Sequence, residues 1–339
     1  MVSIDEVARA AGVSTATVSR ALSGRGQVSL GTRSRVLATA AELGYVVSSS
    51  ASSLASGRTR NIGVLLPVVD RWYFSTVLAG IASGLQRAGY DITLYALTED
   101  AAERATVFET FLRRQRVDAV IAIAISLDAA EVERVEALGL PVVALGAAHP
   151  RLPSLSVDDV AVARVATGHL TALGHRRIAH IGTTSAHDAD GDHIPTLRRH
   201  GFEQALADAG IPAASARHEH ADFTIEDGHR AAMRLLRSDE PPTAIFAASD
   251  EMAIGALMAA RDLALSVPGD LSIVGVDGHE LSAFFGLTTV DQFPHDQGLR
   301  AAEAVLAELG DAAPPAPLAP LPFELVVRAS TAPPARPSP

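Results

Sequence analysis

The sequence predicts an α/β protein in which a small helical head precedes a body of two parallel α/β lobes. Three observations predict it. The first forty-five residues carry apolar positions at helical spacing, punctuated by glycines. From Asn61 onward, short continuous runs of Val, Ile, Leu and Ala alternate with amphipathic stretches, the pattern of strands covered on both faces. The pattern then restarts: Arg60-Asn-Ile-Gly-Val-Leu opens one series and Arg177-Ile-Ala-His-Ile-Gly opens another.

Composition narrows the chemistry. A chain of 339 residues suggests two or three domains. Its 48% apolar content supports a buried core, and no apolar run approaches the ~20 residues of a membrane span. Met1 to Ala10 already carries charges and helical periodicity, so no secretory signal is expected. With no Cys, disulfides and thiolate chemistry are excluded. All 28 Lys+Arg residues are Arg, which removes P-loop, Schiff-base and pyridoxal-phosphate lysines together. There is no Gly-x-Ser-x-Gly elbow, no Gly-x-Gly-x-x-Gly fingerprint and no His-Glu-x-x-His helix. Neither an enzyme nor a cofactor is expected. His218-Glu-His220 reads as the solvated face of an exposed strand rather than a metal site.

The net charge of −11 is unevenly spread. Residues 1–60 hold seven Arg against Asp5, Glu6 and Glu42, leaving that segment at +4 and the remainder at −15. A basic head on an acidic body suits a protein whose head alone touches phosphates.

In the head, Ser3-Ile-Asp-Glu6 fits a capping box, and Ile4, Val7, Ala8 and Ala11 follow at helical spacing until Gly12. Ser14 caps a second helix, with Val18 and Leu22 inward and Thr15, Ala16, Ser19 and Arg20 outward. A third helix, over about 30–43, carries Val36, Leu37 and Ala40 inward and stops at Gly44. Two short helices joined by a tight glycine-containing turn form a helix-turn-helix unit, whose second helix enters the major groove. Short outward side chains let the backbone approach base edges, and Arg20 can pair with guanine through two hydrogen bonds. Ser14 and Thr17, at the same end of the helix, complete the candidate DNA contacts.

A serine-rich stretch follows, with six serines between Ser48 and Gly57. By composition it is a flexible linker. Ala51, Leu54 and Ala55 nevertheless share one side of any helix wound over it, and Leu54 is the only large apolar group there. Such a helix would fold only when docked, with Leu54 as a wedge between base steps.

In the body, strands are expected at 62–66, 92–97, 119–125, 142–145, 178–181, 244–247 and 273–276, with helices at 75–88, 160–173, 196–209 and 252–263. The Pro-rich stretch at 312–322 and a last strand at 323–327 bring the chain back between lobes. The domain boundaries expected are a head at 1–46, a hinge at 47–60, a two-lobed body at 61–331 and a disordered tail at 332–339. Ligands of open α/β sheets bind beyond the carboxyl ends of the strands. Trp72, Tyr73 and Phe74 follow the first strand. Asp158, Phe223, Asp250 and Asp277 stand near later strand ends, and Arg198 stands near a helix start. Carboxylates, an arginine fork and aromatic faces together suit a polyhydroxylated ligand.

Ile4-Asp-Glu-Val-Ala-Arg-Ala-Ala-Gly-Val-Ser-Thr-Ala-Thr-Val-Ser-Arg20, Val28-Ser29, Thr32-Arg33, Leu43-Gly44-Tyr45 and Ser53-Leu54 resemble the head of the lac-repressor (LacI/GalR) family, and the resemblance continues over essentially the whole chain. It implies a head, a hinge helix and a periplasmic-binding-protein-like core. It also implies that Thr15, Ala16 and Arg20 read bases, and that residues 48–56 form the hinge whose Leu54 enters the minor groove. Tyr73, Phe74, Asp158, Arg198, Phe223, Asp250 and Asp277 coincide with the family's effector-contacting positions, with Trp72 adjacent. The family often has Pro where Val47 stands and Arg where Ser52 stands.

The resemblance implies a cytoplasmic homodimeric regulator, most often a repressor, of a near-palindromic operator. Its effector would be a sugar, with no membrane partner. Two neighbouring readings remain: the same regulator with a nucleobase or nucleoside effector, and a solute-binding protein, which would need a secretion signal in place of the basic head. An α/β enzyme with an accessory DNA module is disfavoured by the missing Cys, Lys and nucleophile motifs.

Overall fold

Ser3 starts α1 (Ile4–Ala11) with a reciprocal cap: its Oγ accepts from the Glu6 amide at 3.3 Å, and Glu6 Oε2 accepts from the Ser3 amide at 2.7 Å. Gly12 closes the helix at φ 64, a left-handed conformation that favours glycine. α2 (Thr15–Ser23) begins at Ser14, whose Oγ accepts from the Thr17 amide at 3.2 Å. Ser29 opens α3 (Leu30–Glu42) in the same way through the Thr32 amide. Val7, Ala8, Ala11, Val18, Ala21, Val36 and Ala40 form the core these helices share, with Ile4 and Leu22 against its edge. Leu37, expected inward, is instead 46% exposed. Val36 and Ala40 already fill the narrow seam, and the next position along the helix is rotated by about 100°.

This computed structural model describes residues 2–23, 27–45, 57–98, 100–146, 149–183, 193–212, 216–312 and 320–335. Ala51, Leu54 and Ala55, the candidate hinge contacts, lie outside the described residues. The chain separates into two compact units, Met1–Arg60 with Gln115–Asp118, and Asn61–Arg114 with Ala119–Pro339.

The larger unit contains two sheets. The first comprises β1 (Asn61–Leu66), β2 (Asp91–Ala96), β3 (Ala119–Ile123), β4 (Val142–Leu145) and β5 (Ser154–Leu155), parallel throughout and ordered β2-β1-β3-β4-β5. The second comprises β6 (Ile178–Gly182), β7 (Arg217–His220), β8 (Ala244–Ala247), β9 (Ser272–Asp277), β10 (Thr288–Asp291) and β11 (Glu324–Val326), ordered β11-β10-β9-β8-β6-β7. Here β11 runs antiparallel to β10 and the other pairs are parallel. The central strands are buried along their whole length, as their unbroken apolar runs require.

The helices of the first lobe include α4 (Trp72–Arg87), α5 (Ala101–Thr106) and α6 (Ala129–Ala137). The second lobe carries α7 (Asp159–Ala172), α8 (Ile194–Asp208), α9 (Ile225–Leu236) and α10 (Asp250–Asp262). Although α11 (Pro294–Glu308) follows a strand of the second sheet, it packs on α4 of the first lobe. Two glycines permit that approach. A Cβ at Gly80 would lie 2.0 Å from the His295 carbonyl oxygen, and one at Gly298 would lie 2.0 Å from that of Val77. The chain therefore passes between lobes after β5, after β10 and again before β11. The Leu321 amide donates to the Ser156 carbonyl at 2.8 Å, which joins two of these passages.

The tail departs from its expected disorder over the residues described, which reach 335. The Ala332 amide donates to Ser272 Oγ at 3.0 Å, and its carbonyl accepts from His175 Nε2 at 2.8 Å. Backbone hydrogen bonds hold a segment whose side chains offer little apolar surface. Among the described residues no helix is long and apolar enough to cross a membrane, and no group of three or more His, Cys, Asp or Glu could hold a metal ion.

The glycine seam gives a stability test. Gly298→Ala should lower the unfolding free energy by about 1–3 kcal/mol, because the added methyl meets backbone that cannot yield. Gly168→Ala, in α7 with nothing within 4 Å of its Cβ, should instead raise it by roughly 0.5–1 kcal/mol. Urea midpoints of the two variants check both signs.

Candidate functional site

Strands of both sheets end at one cleft of about 600 Å³, lined by residues just past their carboxyl ends. The first lobe contributes Pro67, Val68, Tyr73 and Phe74 after β1, Ser126 after β3 and Gly146 after β4. The second contributes Thr183, Asp222, Phe223, Ser249, Glu251, Asp277 and Gln292 beyond β6 to β10. Backbone strain marks the same rim. Ala124, Phe223 and Asp277 hold φ values of 49, 47 and 128, each a cost of about 1–3 kcal/mol that the surrounding structure has to offset.

The floor is built around Arg198. An added Cβ at Gly201 would lie 2.3 Å from the Val160 carbonyl oxygen, so glycine lets α8 lie close on α7. One turn before Gly201, Arg198 Nε donates to Asp159 Oδ1 at 2.8 Å. Its Nη1 donates to the Ala248 carbonyl at 2.5 Å and stands 3.9 Å from Asp277 Oδ1. Its Nη2 donates to Gln292 Oε1 at 3.2 Å, and Gln292 Nε2 donates to Asp277 Oδ1 at 2.8 Å. From the first lobe, Tyr73 Oη donates to Gln297 Oε1 at 2.8 Å, and Gln297 Nε2 donates to the Gln292 carbonyl at 2.7 Å. One hydrogen-bonded chain thus runs from Asp159 to Tyr73 across both lobes.

Burial raises the Asp159 carboxyl above its ordinary range despite Arg198 beside it, and burial pushes Asp277 well above that range. The Tyr73 phenol is raised by burial, with Asp277 and Asp159 adding to it. For Arg198 burial opposes the charge, but Asp159 and Asp277 outweigh it and the guanidinium stays ionised.

The sequence-selected residues divide. Tyr73, Phe74, Arg198, Phe223 and Asp277 line the cleft. Asp158 does not: its carboxylate accepts from the Ala161 amide at 2.9 Å and caps α7, leaving Asp159 as the cleft carboxylate. Asp250 is fully buried beneath the loop after β9, where Oδ2 accepts from the His279 amide and the Ser282 hydroxyl, each at 2.8 Å. Its neighbours Ser249 and Glu251 take the cleft positions. Trp72 stacks on His279 with centroids 4.5 Å apart, a contact between α4 and the second lobe outside the cleft lining. Gln292 and Gln297 were not legible beforehand, because the short Thr-Thr-Val-Asp strand that places them has no apolar run.

In the head, Thr15, Ala16, Ser19 and Arg20 are exposed on α2. Thr17 is half-buried and 2.9 Å from Ser14 Oγ, so these two hydroxyls stabilise the start of the helix.

Asp250 generates a pH prediction. Burial pushes its carboxyl up to about 7 from an ordinary 3.8, so the folded state retains a proton that the unfolded chain has lost. Its contribution to stability is full below about pH 4 and is lost as pH rises through about 7. Asp250→Asn, which mimics the protonated form, should shrink the fall in urea midpoint between about pH 4 and about pH 7.5. An unchanged fall contradicts this placement.

Comparison with known proteins places this architecture. Residues 3–48 match the description "Bacterial regulatory proteins, lacI family", and residues 167–331 match "Periplasmic binding protein-like domain". Catabolite control protein A of Priestia megaterium is 31% identical over 334 residues, covering 97% of this chain and 99% of that protein. The lac repressor dimer bound to operator and the anti-inducer ONPF is 28% identical and superposes with a TM-score of 0.82, covering 98% of this chain and 99% of that one. The CelR–cellobiose complex, also 28% identical, gives a TM-score of 0.69 over 97% of this chain and 100% of that one. Head, paired lobes and full-length likeness agree, and this chain belongs to the lacI family of bacterial regulatory proteins, DNA-binding transcription regulators rather than enzymes.

Proposed function

We propose that the chain acts in the cytoplasm as a homodimeric repressor whose hold on a near-palindromic operator is set by a sugar bound between its lobes. The observation that carries this reading is the cleft floor: Asp159, Arg198, Gln292 and Asp277 hydrogen-bonded together, with Tyr73, Phe74 and Phe223 also lining the space. Carboxylates and amides exchange hydrogen bonds with paired hydroxyls, and rings cover the apolar faces of a pyranose. The CelR structure carries cellobiose and the lac repressor dimer carries an operator, which supports the same pairing here. A second copy of the chain is the partner suited to Leu281, Phe284 and Phe285, which are 38%, 86% and 47% exposed on one loop.

On the DNA side, Thr15, Ala16 and Ser19 approach base edges and Arg20 pairs with guanine. Leu54 wedges the central step when the hinge folds on the operator. Two-fold symmetry of the dimer would be mirrored in the two half-sites. Effector binding links the lobes through Tyr73, Gln297 and Gln292, and the resulting shift of the first lobe would separate paired hinges.

Two measurements test this. Against a duplex selected from a random pool by the wild-type chain, Arg20→Ala and Leu54→Ser should each lose about 1–3 kcal/mol of preference over random competitor. Equal preference in the variants overturns the reading. Sugars that bind should also change the emission of Trp72, the only tryptophan, through its stack on His279. A flat response across sugars with a response to purines would move the effector to nucleobases.

A further inference from the structure

We infer that the head and hinge are not alone in gripping the operator: an arginine segment at the foot of the hinge, Arg113-Arg114-Gln115-Arg116, pairs with the phosphates that flank the central step. This rests on the operator reading above and extends it beyond the head. The stretch Leu112-Arg-Arg-Gln-Arg-Val-Asp118 places three arginines in four positions, although residues 61–339 carry −15 overall. Leu112 and Val117 are buried and pin its ends, while residues 113–116 between them are all exposed. An exposed run of arginines with an apolar anchor on each side is suited to negative charge outside the protein.

Hydrogen bonds fix the place of this segment. Asp118 Oδ1 accepts from the Thr59 amide at 2.7 Å and from the Thr59 hydroxyl at 2.8 Å, and Oδ2 accepts from the Arg60 amide at 2.9 Å. Residues 115–118 accordingly group with residues 1–60 rather than with the strands that follow. The one carboxylate of the stretch is thus turned onto the chain where the hinge ends, and Arg58 and Arg60 flank Thr59 with two further guanidinium groups. Arg60 and Gln115 hold φ values of 55 and 52, left-handed conformations that such residues keep only where their surroundings fix them. The joint is therefore shaped before any partner arrives.

Duplex DNA is the partner that this joint can reach. With Leu54 at the central step, as proposed above, the five residues from Leu54 to Thr59 span at most about 18 Å. The minor groove that Leu54 enters is about 6 Å wide and walled by the phosphates of both strands. So short a tether holds the guanidinium groups beside those phosphates, and a planar fork meets phosphate oxygens with two hydrogen bonds. Contacts of this kind carry no sequence information; they fix register and add counterion release to the affinity.

The test uses the full-length chain and its selected duplex, with affinity measured across a salt series. Arg113→Gln and Arg116→Gln should each flatten the slope of log affinity against log salt by about 1–2, one phosphate contact from each protomer of the dimer. Preference over random competitor should stay at the wild-type level, unlike that of Arg20→Ala. Arg113→Lys should keep the wild-type slope, because a phosphate accepts either cation. Arg237→Gln, which removes the same charge at the end of α9, should leave the slope unchanged. Neutral methylphosphonate linkages beside the central step should erase the difference between the wild type and Arg113→Gln. Wild-type slopes in both glutamine variants overturn the inference and turn these arginines toward an acidic protein, with the operator reading intact. Weaker binding at an unchanged slope overturns it as well, since that marks a structural role. A wild-type chain that prefers no duplex overturns the operator reading and this inference with it.

Discussion

Arg198 is the interaction on which the cleft depends. A guanidinium that is 4% exposed must obtain charge and acceptors from the protein, and Asp159, Asp277, Gln292 and the Ala248 carbonyl provide them. Removing one member of such a buried pair strands the other, at about 3–5 kcal/mol. The cluster therefore fixes the relative positions of α7, α8 and the ends of β8, β9 and β10, and so the shape of the floor. Through Gln292, Gln297 and Tyr73 the same network continues into α4 of the other lobe. A ligand that hydrogen-bonds to any part of it bears on both lobes.

The lobes differ in how they can move. α4 and α11 meet through Gly80 and Gly298 with no room for a methyl group, so these helices move as one piece. Relative motion is left to the short passages between sheets, two of which are tied together at Ser156 and Leu321. The positive φ values of Ala124, Phe223 and Asp277 stand at the rim that such motion would open or close. Trp72 and His279 form a separate contact between lobes, outside the cleft lining.

Much of this was legible in the sequence because its signals were strong and local. Ser3 with Glu6, Gly12, and Ser14 located the first two helices, and runs such as Ala119–Ile123 located buried strands. Body helices begin one to three residues before their apolar periodicity, since first turns such as Trp72-Tyr-Phe and Asp250-Glu face the cleft or a cap rather than the core. α9 and α11 escaped notice because their buried stripes are largely Gly and Ala, including Gly228, Ala231, Gly298 and Ala301. β10 is four residues of Thr-Thr-Val-Asp. At the site, strand ends pointed to Asp277 correctly, but to Asp158 and Asp250 where the adjacent Asp159 and Glu251 line the cleft. Asp158 and Asp250 are taken by a helix cap and a buried loop anchor, and one-residue differences of that kind depend on rotations that periodicity does not fix.

On this mechanism, operator binding answers to what fills the cleft. The direct measurement is the affinity of the full-length chain for its selected duplex, at fixed salt, with and without the sugar that stabilises it most. A change of roughly ten-fold or more, the usual scale of coupling between two sites, is what the account predicts. A sugar that saturates the cleft yet leaves that affinity unchanged would contradict it.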